Sequence, residues 1–267
     1  MKLADLEPVL ALAERASTLI SSVYAEPFEV AYKGTDDPVT RADEQANDLI
    51  CDGLTEAFPG VPIVSEESPG SFANAHGASC AWFVDPLDGT REFVARNGEF
   101  CVMIGFAEGG SAAGGVVVFP ALGIRVVATV DEGAFEVGRD GARRKLCVAP
   151  WGSLSKTRVV VSRSRPPSDL EDLLGSLGGA SVLRRGSSGL KAYLVASGQA
   201  DLFVQTGPAG KRWDVCAPEA IVRGAGGIFT TARGEPFEYD SGDLENDRGI
   251  LASGLCLHRV VRAVFRV

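Results

Sequence analysis

The sequence predicts an α+β N-terminal half and an α/β C-terminal half. Apolar residues recur at helical spacing from Leu3 to Ile20, which predicts an amphipathic helix at the start of the chain. Residues 100–137 are rich in Val, Ile, Phe and Gly, a composition typical of short antiparallel strands with tight turns. Farther along, strand-like and helix-like segments alternate, which favours an α/β layer. The basic stretch 139–155 contains Gly and Pro and predicts a boundary, so the expected subdomains are 1–150 and 151–267.

In the N-terminal half, two helices precede most of the strands. The first helix is predicted over 3–23, and the polar segment 32–40 after it is expected to be a loop or a short turn. Thr40 and Asp43 match a capping box that begins a second helix, which ends before Pro59. The predicted strands are 61–64, 82–85, 100–107, 114–119, 124–129 and 133–137.

In the C-terminal half, the elements alternate more regularly. Helices are predicted over 168–177, 187–197, 213–225 and 255–265. The strands predicted between them are 157–162, 181–184, 201–205, 227–230 and 250–252.

Composition limits the classes of function. A chain of 267 residues with net charge −9 can bury a large core, but it lacks the clustered basic residues that bind nucleic-acid polymers. A small anionic substrate remains compatible, because a bound metal ion inverts the local field. The two histidines, His76 and His258, stand near no Ser or Cys nucleophile pattern, which argues against a histidine-based triad and a His-rich zinc site.

Cysteine usage and hydropathy indicate a cytoplasmic protein. The six cysteines are far apart and form no C-x-x-C pattern, so we expect buried free thiols in a reducing compartment. The first residues are acidic and lack a basic-then-apolar signal pattern. No run approaches the roughly 18–20 apolar residues needed to span a bilayer, so no transmembrane segment is expected.

The candidate site is centred on Asp85-Pro86-Leu87-Asp88-Gly89-Thr90. A buried strand that ends in two carboxylates makes a compact, oxygen-rich site of the kind that binds Mg²⁺. If a helix follows, the amides of Gly89 and Thr90 lie at its N-terminus, where a phosphate is favoured. These residues alone are equally compatible with an ordinary Asp/Gly turn.

Three other acidic positions could complete such a site. Asp43 lies in the first turn of a predicted helix, Glu66 and Glu67 close a predicted strand, and Asp214 opens a helix after Trp213. Taken singly, the aspartates could complement helix dipoles, and the glutamates could be a solvated pair.

Taken together, these motifs resemble the magnesium-dependent, lithium-sensitive inositol monophosphatase superfamily. The matching motifs are Asp-Pro-Val-Thr-Arg-Ala-Asp at 37–43, Ser-Glu-Glu-Ser at 65–68, Asp-Pro-Leu-Asp-Gly-Thr at 85–90 and Trp-Asp-Val-Cys-Ala-Pro at 213–218. The stretch 90–100 is similar to the 3′(2′),5′-bisphosphate nucleotidase (CysQ-like) branch, and so are 161–164, 186–191, 198–202 and 206–208. Lys211 and Arg212 depart from that pattern. The resemblance implies a layered αβαβα sandwich with the active site between the two subdomains.

The resemblance also implies residue roles. One Mg²⁺ would be held by Glu66, Asp85 and the Leu87 carbonyl, and a second by Asp85, Asp88 and Asp214, with room for a weaker third ion near Glu66. Asp43 would accept a hydrogen bond from Thr90, which together with Glu66 orients and deprotonates the attacking water. The implied catalytic residues are therefore Asp43, Glu66 and Thr90. The implied substrate contacts are Glu66, Leu87, Asp88, Gly89, Thr90 and Asp214, with Ser162, Ser187 and Lys191 added from their position only.

The implied reaction is removal of the 3′-phosphate of 3′-phosphoadenosine 5′-phosphate to give AMP and phosphate, in the setting of sulfate assimilation. The adenine and the 5′-phosphate would contact the C-terminal layer. An inositol monophosphatase or other sugar-phosphate phosphatase is the nearest alternative, and a non-catalytic Mg²⁺- or nucleotide-binding regulator is the alternative from another class. The sequence leaves a monomer and a homodimer open.

Overall fold

The computed structural model describes residues 1–34, 37–68 and 70–265. A 3₁₀ turn, Leu3–Leu6, leads into helix α1, Glu7–Ala25. The segment expected to be a loop contains instead an antiparallel pair of short strands, β1 (Ala31–Gly34) and β2 (Asp37–Val39). The pattern missed this pair because its strands have only four and three residues, too few for a periodic signal. Helix α2, Arg41–Ala57, begins at the predicted capping box, which the structure confirms.

A seven-stranded sheet follows. Its strands run in chain order across the sheet, and all neighbours are antiparallel except the first pair. The edge strand, β9 (Arg143–Lys145), lies inside the predicted boundary segment 139–155, where no strand was expected. The elements are β3 (Ile63–Ser65), β4 (Cys80–Asp88), helix α3 (Thr90–Val94), β5 (Cys101–Glu108), β6 (Ser111–Phe119), β7 (Ile124–Thr129), β8 (Gly133–Val137) and β9 (Arg143–Lys145).

The C-terminal elements match the predicted alternation. They are β10 (Arg158–Ser162), α4 (Leu170–Ser176), β11 (Ser181–Arg185), α5 (Ser188–Ala196), β12 (Leu202–Gln205), α6 (Trp213–Gly224), β13 (Gly227–Thr230), β14 (Ile250–Gly254) and α7 (Leu255–Phe265). Their five strands form a mixed sheet in the order β11-β10-β12-β14-β13, in which β10 is parallel to β11 and β12 while β14 is antiparallel to both its neighbours.

Three apolar clusters divide the molecule into five layers. One cluster packs α1 and α2 against the outer face of the seven-stranded sheet. A second joins the inner face of that sheet to α5, α6 and the five-stranded sheet. A third packs α4 and α7 on the far face of the five-stranded sheet. The order is therefore helices, sheet, helices, sheet, helices, as expected for an αβαβα sandwich.

Strand β4 shows how the sequence builds two of these layers at once. Because side chains alternate along a strand, its residues point in turn to opposite faces of the sheet. Trp82 and Val84 enter the outer cluster, whereas Phe83 enters the inner one. A continuous apolar run is therefore needed here, since both faces of the strand are covered.

Helix α6 lies close to the seven-stranded sheet because two strand positions lack side chains. A Cβ added to Gly105 would lie 2.6 Å from the Ala217 nitrogen, and one added to Gly115 would lie 2.9 Å from Ala217 Cα. The contact joins a helix of the C-terminal half to strands of the N-terminal half. The division at residue 150 stays a prediction, since the inner cluster draws on both halves.

The six cysteines are all free, but they are not all buried. Cys101 and Cys216 are buried, and Cys51 and Cys80 are half-buried. The expectation of buried thiols is wrong for Cys147 and Cys256, which are exposed. Leu146 takes the inward position after β9, so its neighbour Cys147 faces solvent. Within the described ranges, no helix is both long and apolar enough to cross a membrane.

The buried histidine makes stability depend on pH. His258 in α7 is 3% exposed, and its Nε2 lies 3.0 Å from Thr230 Oγ1. Burial, reinforced by the charge of Arg262, lowers the pKa of His258 to about 4. A base with a depressed folded pKa gives stability that is present above its unfolded pKa of about 6.5 and is lost as pH falls towards 4. We expect up to about 3 kcal/mol of unfolding free energy to be lost across that window.

Urea unfolding of wild type and His258→Gln between pH 7 and pH 4 checks this expectation. The variant should lose less unfolding free energy on acidification than wild type. His76→Gln is the matched control, since His76 is exposed. An identical pH dependence in wild type and His258→Gln would contradict the assignment.

Candidate active site

A β-bulge places Asp85 and Asp88 on the same side of β4. In a regular strand, residues three apart point to opposite faces. Here Asp85 pairs with Met103 and Asp88 pairs with Cys101, so three steps on β4 match two on β5. The extra residue restores the inward direction for both carboxylates. The strand was expected to end in a turn near Pro86, but it continues through the bulge to Asp88.

Asp214 reaches the same place from the first turn of α6. One oxygen of each of Asp85, Asp88 and Asp214 lies within 4.8 Å of the other two. Asp214 Oδ2 accepts a hydrogen bond from the Lys211 N–H at 2.7 Å. Gly210 leaves room for this carboxylate, because an added Cβ would stand 2.4 Å from Asp214 Oδ2. The structure thus brings Asp214 together with two acids that lie far from it in the sequence.

Glu66 lies beside this group, directly after β3. Its N–H donates to the Val84 carbonyl at 3.2 Å, which ties it to the neighbouring strand. Its carboxylate lies 3.4 Å from Lys33 Nζ, and the same ammonium forms an ion pair with Glu67. Lys33 is in β1, so the short strand pair missed by the sequence analysis contacts the candidate site.

The electrostatics of the acidic group fit a cation. Burial raises the pKa of Asp85 well above its usual range, and the charges of Glu66, Asp88 and Asp214 raise it further. Burial likewise raises the pKa of Asp214, with Glu66 and Asp88 adding to the effect. Converging buried carboxylates repel one another unless positive charge is present. An oxygen-only donor set of this kind suits a hard cation such as Mg²⁺.

Thr90 and Asp43 form a hydrogen-bonded pair at the edge of this group. The Thr90 hydroxyl lies 3.0 Å from Asp43 Oδ1 and 3.1 Å from the Leu87 carbonyl oxygen. Asp43 Oδ2 accepts from the N–H and the hydroxyl of Thr40, at 2.8 and 2.7 Å. Burial raises the pKa of Asp43, although these hydrogen bonds oppose the shift. The acid of the α2 capping box, Asp43, is therefore also the partner of Thr90.

Gly89 makes the turn between β4 and α3. Its φ is +93°, in the left-handed region that favours glycine. An added Cβ would also lie 2.9 Å from the Glu99 carbonyl oxygen. Gly89 and Thr90 thus stand at the start of α3, as predicted, and their contact with a phosphate stays a prediction.

The N-terminal turn of α5 donates hydrogen bonds to Asp88, the second carboxylate of the bulge. Asp88 Oδ2 accepts hydrogen bonds from Ser187 Oγ and from the Gly189 N–H, the latter at 2.9 Å. Lys191 Nζ, which is buried, donates to the carbonyls of Gly186 and Ser187 at 3.2 and 2.6 Å. Burial lowers the pKa of Lys191, an effect that the charge of Asp88 opposes. Ser187 and Lys191 therefore contact the site's own framework.

A cavity of about 860 Å³ opens above the carboxylates. Every predicted site residue except Asp43 lines it, and Asp43 lies behind Thr90. Ser162 contributes at the rim, where its Oγ accepts a hydrogen bond from the Arg165 N–H at 3.1 Å. The structure therefore gathers the predicted residues around one space, while their individual roles stay predictions.

Several residues of this site received no role in the sequence analysis. The cavity wall includes the cationic side chains of Lys33, Arg91, Arg165 and Lys211. Glu92 and Glu99 lie within the stretch 90–100 that resembles the nucleotidase branch. In the structure, Glu92 accepts a hydrogen bond from Arg163, and Glu99 accepts one from the Gly186 N–H. A lone Arg or Glu in a loop or at a strand end carries no sequence signal for such contacts.

Comparison with known proteins agrees with this geometry. The sequence profile of the inositol monophosphatase family matches residues 5–264. The chain belongs to the inositol monophosphatase family. Within this family it is 39% identical over 236 residues to the 3′(2′),5′-bisphosphate nucleotidase CysQ of Salmonella typhimurium, a match that covers 88% of this chain and 93% of the relative. The predicted resemblance is confirmed, including its nucleotidase branch.

Solved structures of the inositol monophosphatase family confirm the sandwich. CysQ from Bacteroides thetaiotaomicron superposes with a TM-score of 0.80 at 29% identity, covering 95% of this chain and 98% of the other. The suhB protein of Bartonella henselae gives 0.82 at 24% identity, covering 98% of each chain. Enzymes of the family use Mg²⁺, and the carboxylate group of this chain can hold a metal ion.

Proposed function

We propose that this protein is a magnesium-dependent 3′(2′),5′-bisphosphate nucleotidase. It hydrolyses 3′-phosphoadenosine 5′-phosphate to AMP and inorganic phosphate. The observation that carries the proposal is the group of Asp85, Asp88 and Asp214, which lies in a cavity large enough for a nucleotide. Relatives that share 37–39% of their residues with this chain over most of its length are named as nucleotidases of this kind.

The charges of the cavity favour a substrate with two phosphates. Acidic residues at the bottom suit a cation that draws in one phosphate, while cationic side chains around the wall suit a second anionic group. Arg165 and Lys211 stand on the C-terminal side, where the 5′-phosphate is expected. Phe72 and Trp213 add flat apolar surface for a base. An inositol monophosphate uses fewer of these features.

We assign the cation sites as the family resemblance implies. Glu66, Asp85 and the Leu87 carbonyl would hold one Mg²⁺, and Asp85, Asp88 and Asp214 would hold another, with a third, weaker site near Glu66. Bound Mg²⁺ neutralises phosphate charge and makes water more acidic. The Thr90 hydroxyl, held by Asp43, orients the attacking water, and Glu66 assists in removing its proton. The amides of Gly89 and Thr90 bind phosphate oxygens, and Ser162, Ser187 and Lys191 line the substrate pocket.

A cytoplasmic location completes the proposal. Six free thiols are consistent with a reducing compartment. The substrate is a small molecule, and the chain works as a monomer or a homodimer.

Phosphate release from matched substrates tests the function. Purified protein at millimolar Mg²⁺ is given 3′-phosphoadenosine 5′-phosphate or inositol 1-phosphate, each with and without lithium. We expect strong preference for the nucleotide, loss of activity with a chelator, and inhibition by lithium. AMP is the control, since it retains the 5′-phosphate but lacks the 3′-phosphate.

The outcomes separate the alternatives. Preference for inositol 1-phosphate would keep the metal chemistry but overturn the nucleotidase assignment. No release from either substrate, with Mg²⁺ still bound, would favour a non-catalytic regulator.

A further inference from the structure

An ion-pair cluster joins the two halves of the chain beside the cavity. Arg163 lies directly after β10, and its guanidinium forms ion pairs with two carboxylates. Its Nη1 donates to Glu92 Oε2 at 3.0 Å, and its Nη2 donates to Glu99 Oε1 at 2.7 Å. Glu92 lies in α3 and Glu99 precedes β5, so both acids come from the N-terminal half. The planar fork of arginine suits this double contact better than a single ammonium does.

The same cluster fixes the main chain at Gly186, immediately before α5. Glu99 Oε2 accepts a hydrogen bond from the Gly186 N–H at 2.7 Å. Glu92 occupies the space beside this glycine, since a Cβ added there would lie 2.2 Å from Glu92 Cγ. The Arg163 N–H also donates to the Arg185 carbonyl at 2.9 Å. Position 186 is therefore held by charge, hydrogen bonding and shape.

The next residue, Ser187, has a φ of 52°. This left-handed conformation is uncommon for residues other than glycine, and it persists where surrounding contacts over-determine the backbone. Glu99 holds the N–H of the turn, and Lys191 holds its two carbonyls. The result is that Ser187 Oγ and the Gly189 N–H both point at Asp88 Oδ2.

We propose that Arg163 and Glu99 position the Asp88 carboxylate for cation binding by holding the turn before α5. The contacts run without interruption from Arg163 through Glu99 and Gly186 to Ser187, and from there to Asp88. This inference rests on the proposed role of Asp88 as a cation ligand. Partners that orient a metal ligand typically change metal affinity by about 10- to 100-fold when removed.

The chain offers a matched control at the other end of the same strand. Arg158 begins β10 and pairs with Asp201 through Nε at 3.0 Å and Nη2 at 2.7 Å. The two arginine side chains have similar exposure, 40% for Arg158 and 37% for Arg163. Replacing Arg158 removes two charged hydrogen bonds, as replacing Arg163 does, but it leaves the contacts of Gly186 and Asp88 unchanged.

Thermal melting across a Mg²⁺ titration, without substrate, gives a readout independent of turnover. For Arg163→Met we expect the Mg²⁺ concentration of half-maximal stabilisation to rise about 10-fold. Arg158→Met should lower the melting temperature in the absence of Mg²⁺ but leave that concentration unchanged. Arg163→Lys should restore part of the Mg²⁺ response, because one ammonium replaces only part of the fork. Should Arg163→Met fail to fold, Glu99→Met removes the same link, because it deletes the carboxylate that accepts from both Arg163 and the Gly186 N–H.

Two results would overturn the inference. One is a wild-type Mg²⁺ response in a folded Arg163→Met or Glu99→Met variant. The other is an equal rise, in Arg158→Met, of the Mg²⁺ concentration of half-maximal stabilisation. Such a rise would show that the effect comes from a general loss of stability. Failure of the proposed function looks different: wild type would be stabilised by Mg²⁺ yet release no phosphate from the nucleotide, and the melting comparison would still decide the role of Arg163.

Discussion

Asp85→Asn will reduce phosphate release from 3′-phosphoadenosine 5′-phosphate by about 10³-fold or more. Metal-based charge stabilisation is worth several kcal/mol, and each 1.36 kcal/mol corresponds to about a factor of ten in rate. Asp85 is predicted to bind both ions, so its loss weakens both sites at once. Initial rates at saturating substrate over a wide range of Mg²⁺ concentrations measure the effect.

The same substitution should separate cation binding from folding. A carboxyl whose folded pKa is raised costs stability once pH exceeds its ordinary value, so a neutral amide removes that cost at pH 7. The amide oxygen can still accept the 3.0 Å hydrogen bond that the Leu87 N–H now donates to Asp85. We therefore expect the Mg²⁺-free melting temperature to be at least that of wild type, while the Mg²⁺-induced rise disappears.

Asp201→Asn is the control for neutralising a half-buried, ion-paired acid elsewhere. It breaks the pair with Arg158 and should lower the melting temperature while preserving the rise caused by Mg²⁺. A full Mg²⁺-induced rise in Asp85→Asn would place the ions away from this residue.

Thr90→Ala will lower kcat by about 10²- to 10³-fold while leaving the half-saturating Mg²⁺ concentration near that of wild type. A positioned proton-transfer group typically contributes about 10²- to 10⁴-fold. The Thr90 hydroxyl contacts Asp43, and the predicted ligands of Mg²⁺ do not include its side chain. Thr90→Ser keeps the hydroxyl and should retain most of the activity.

The pair of Thr90 and Asp43 can be tested as a unit. If Asp43 acts through Thr90, the double variant Asp43→Asn/Thr90→Ala will be no slower than the slower single variant. Asp43→Asn also weakens the capping box that Asp43 forms with Thr40, which we expect to lower the unfolding free energy by about 1 kcal/mol. Additive losses in the double variant would show that the two side chains act independently.

Much of the fold could be predicted from local pattern. Helical periodicity located α1 and α2, and the capping box set where α2 begins. Apolar runs located the strands of the seven-stranded sheet because both its faces are covered. Short strands such as β1, β2 and β9 escaped prediction, since three or four residues leave no periodic signal and β1 and β9 are exposed throughout.

The candidate site was predicted less from local pattern than from motif order. Asp43, Glu66, Asp85, Asp88 and Asp214 were each compatible with an ordinary structural role. Their joint occurrence in a family pattern selected them, and the structure brings all of them except Asp43 to one cavity, with Asp43 behind Thr90. The bulge in β4 could not be read from the sequence, because it depends on pairing with β5. Without that bulge, the first two carboxylates of the motif would point to opposite faces.

The sequence by itself determined most of the helices and strands of this protein, because these depend on spacing and side-chain chemistry along the chain. The family resemblance of its motifs implied the layer pattern and selected the acidic residues. Only the tertiary structure decided which side chains support them. The link from Arg163 through Glu99, Gly186 and Ser187 ends in a contact between Ser187 and Asp88, which are 99 positions apart. Such contacts depend on how the two sheets pack around the middle helices, and no local pattern records that arrangement.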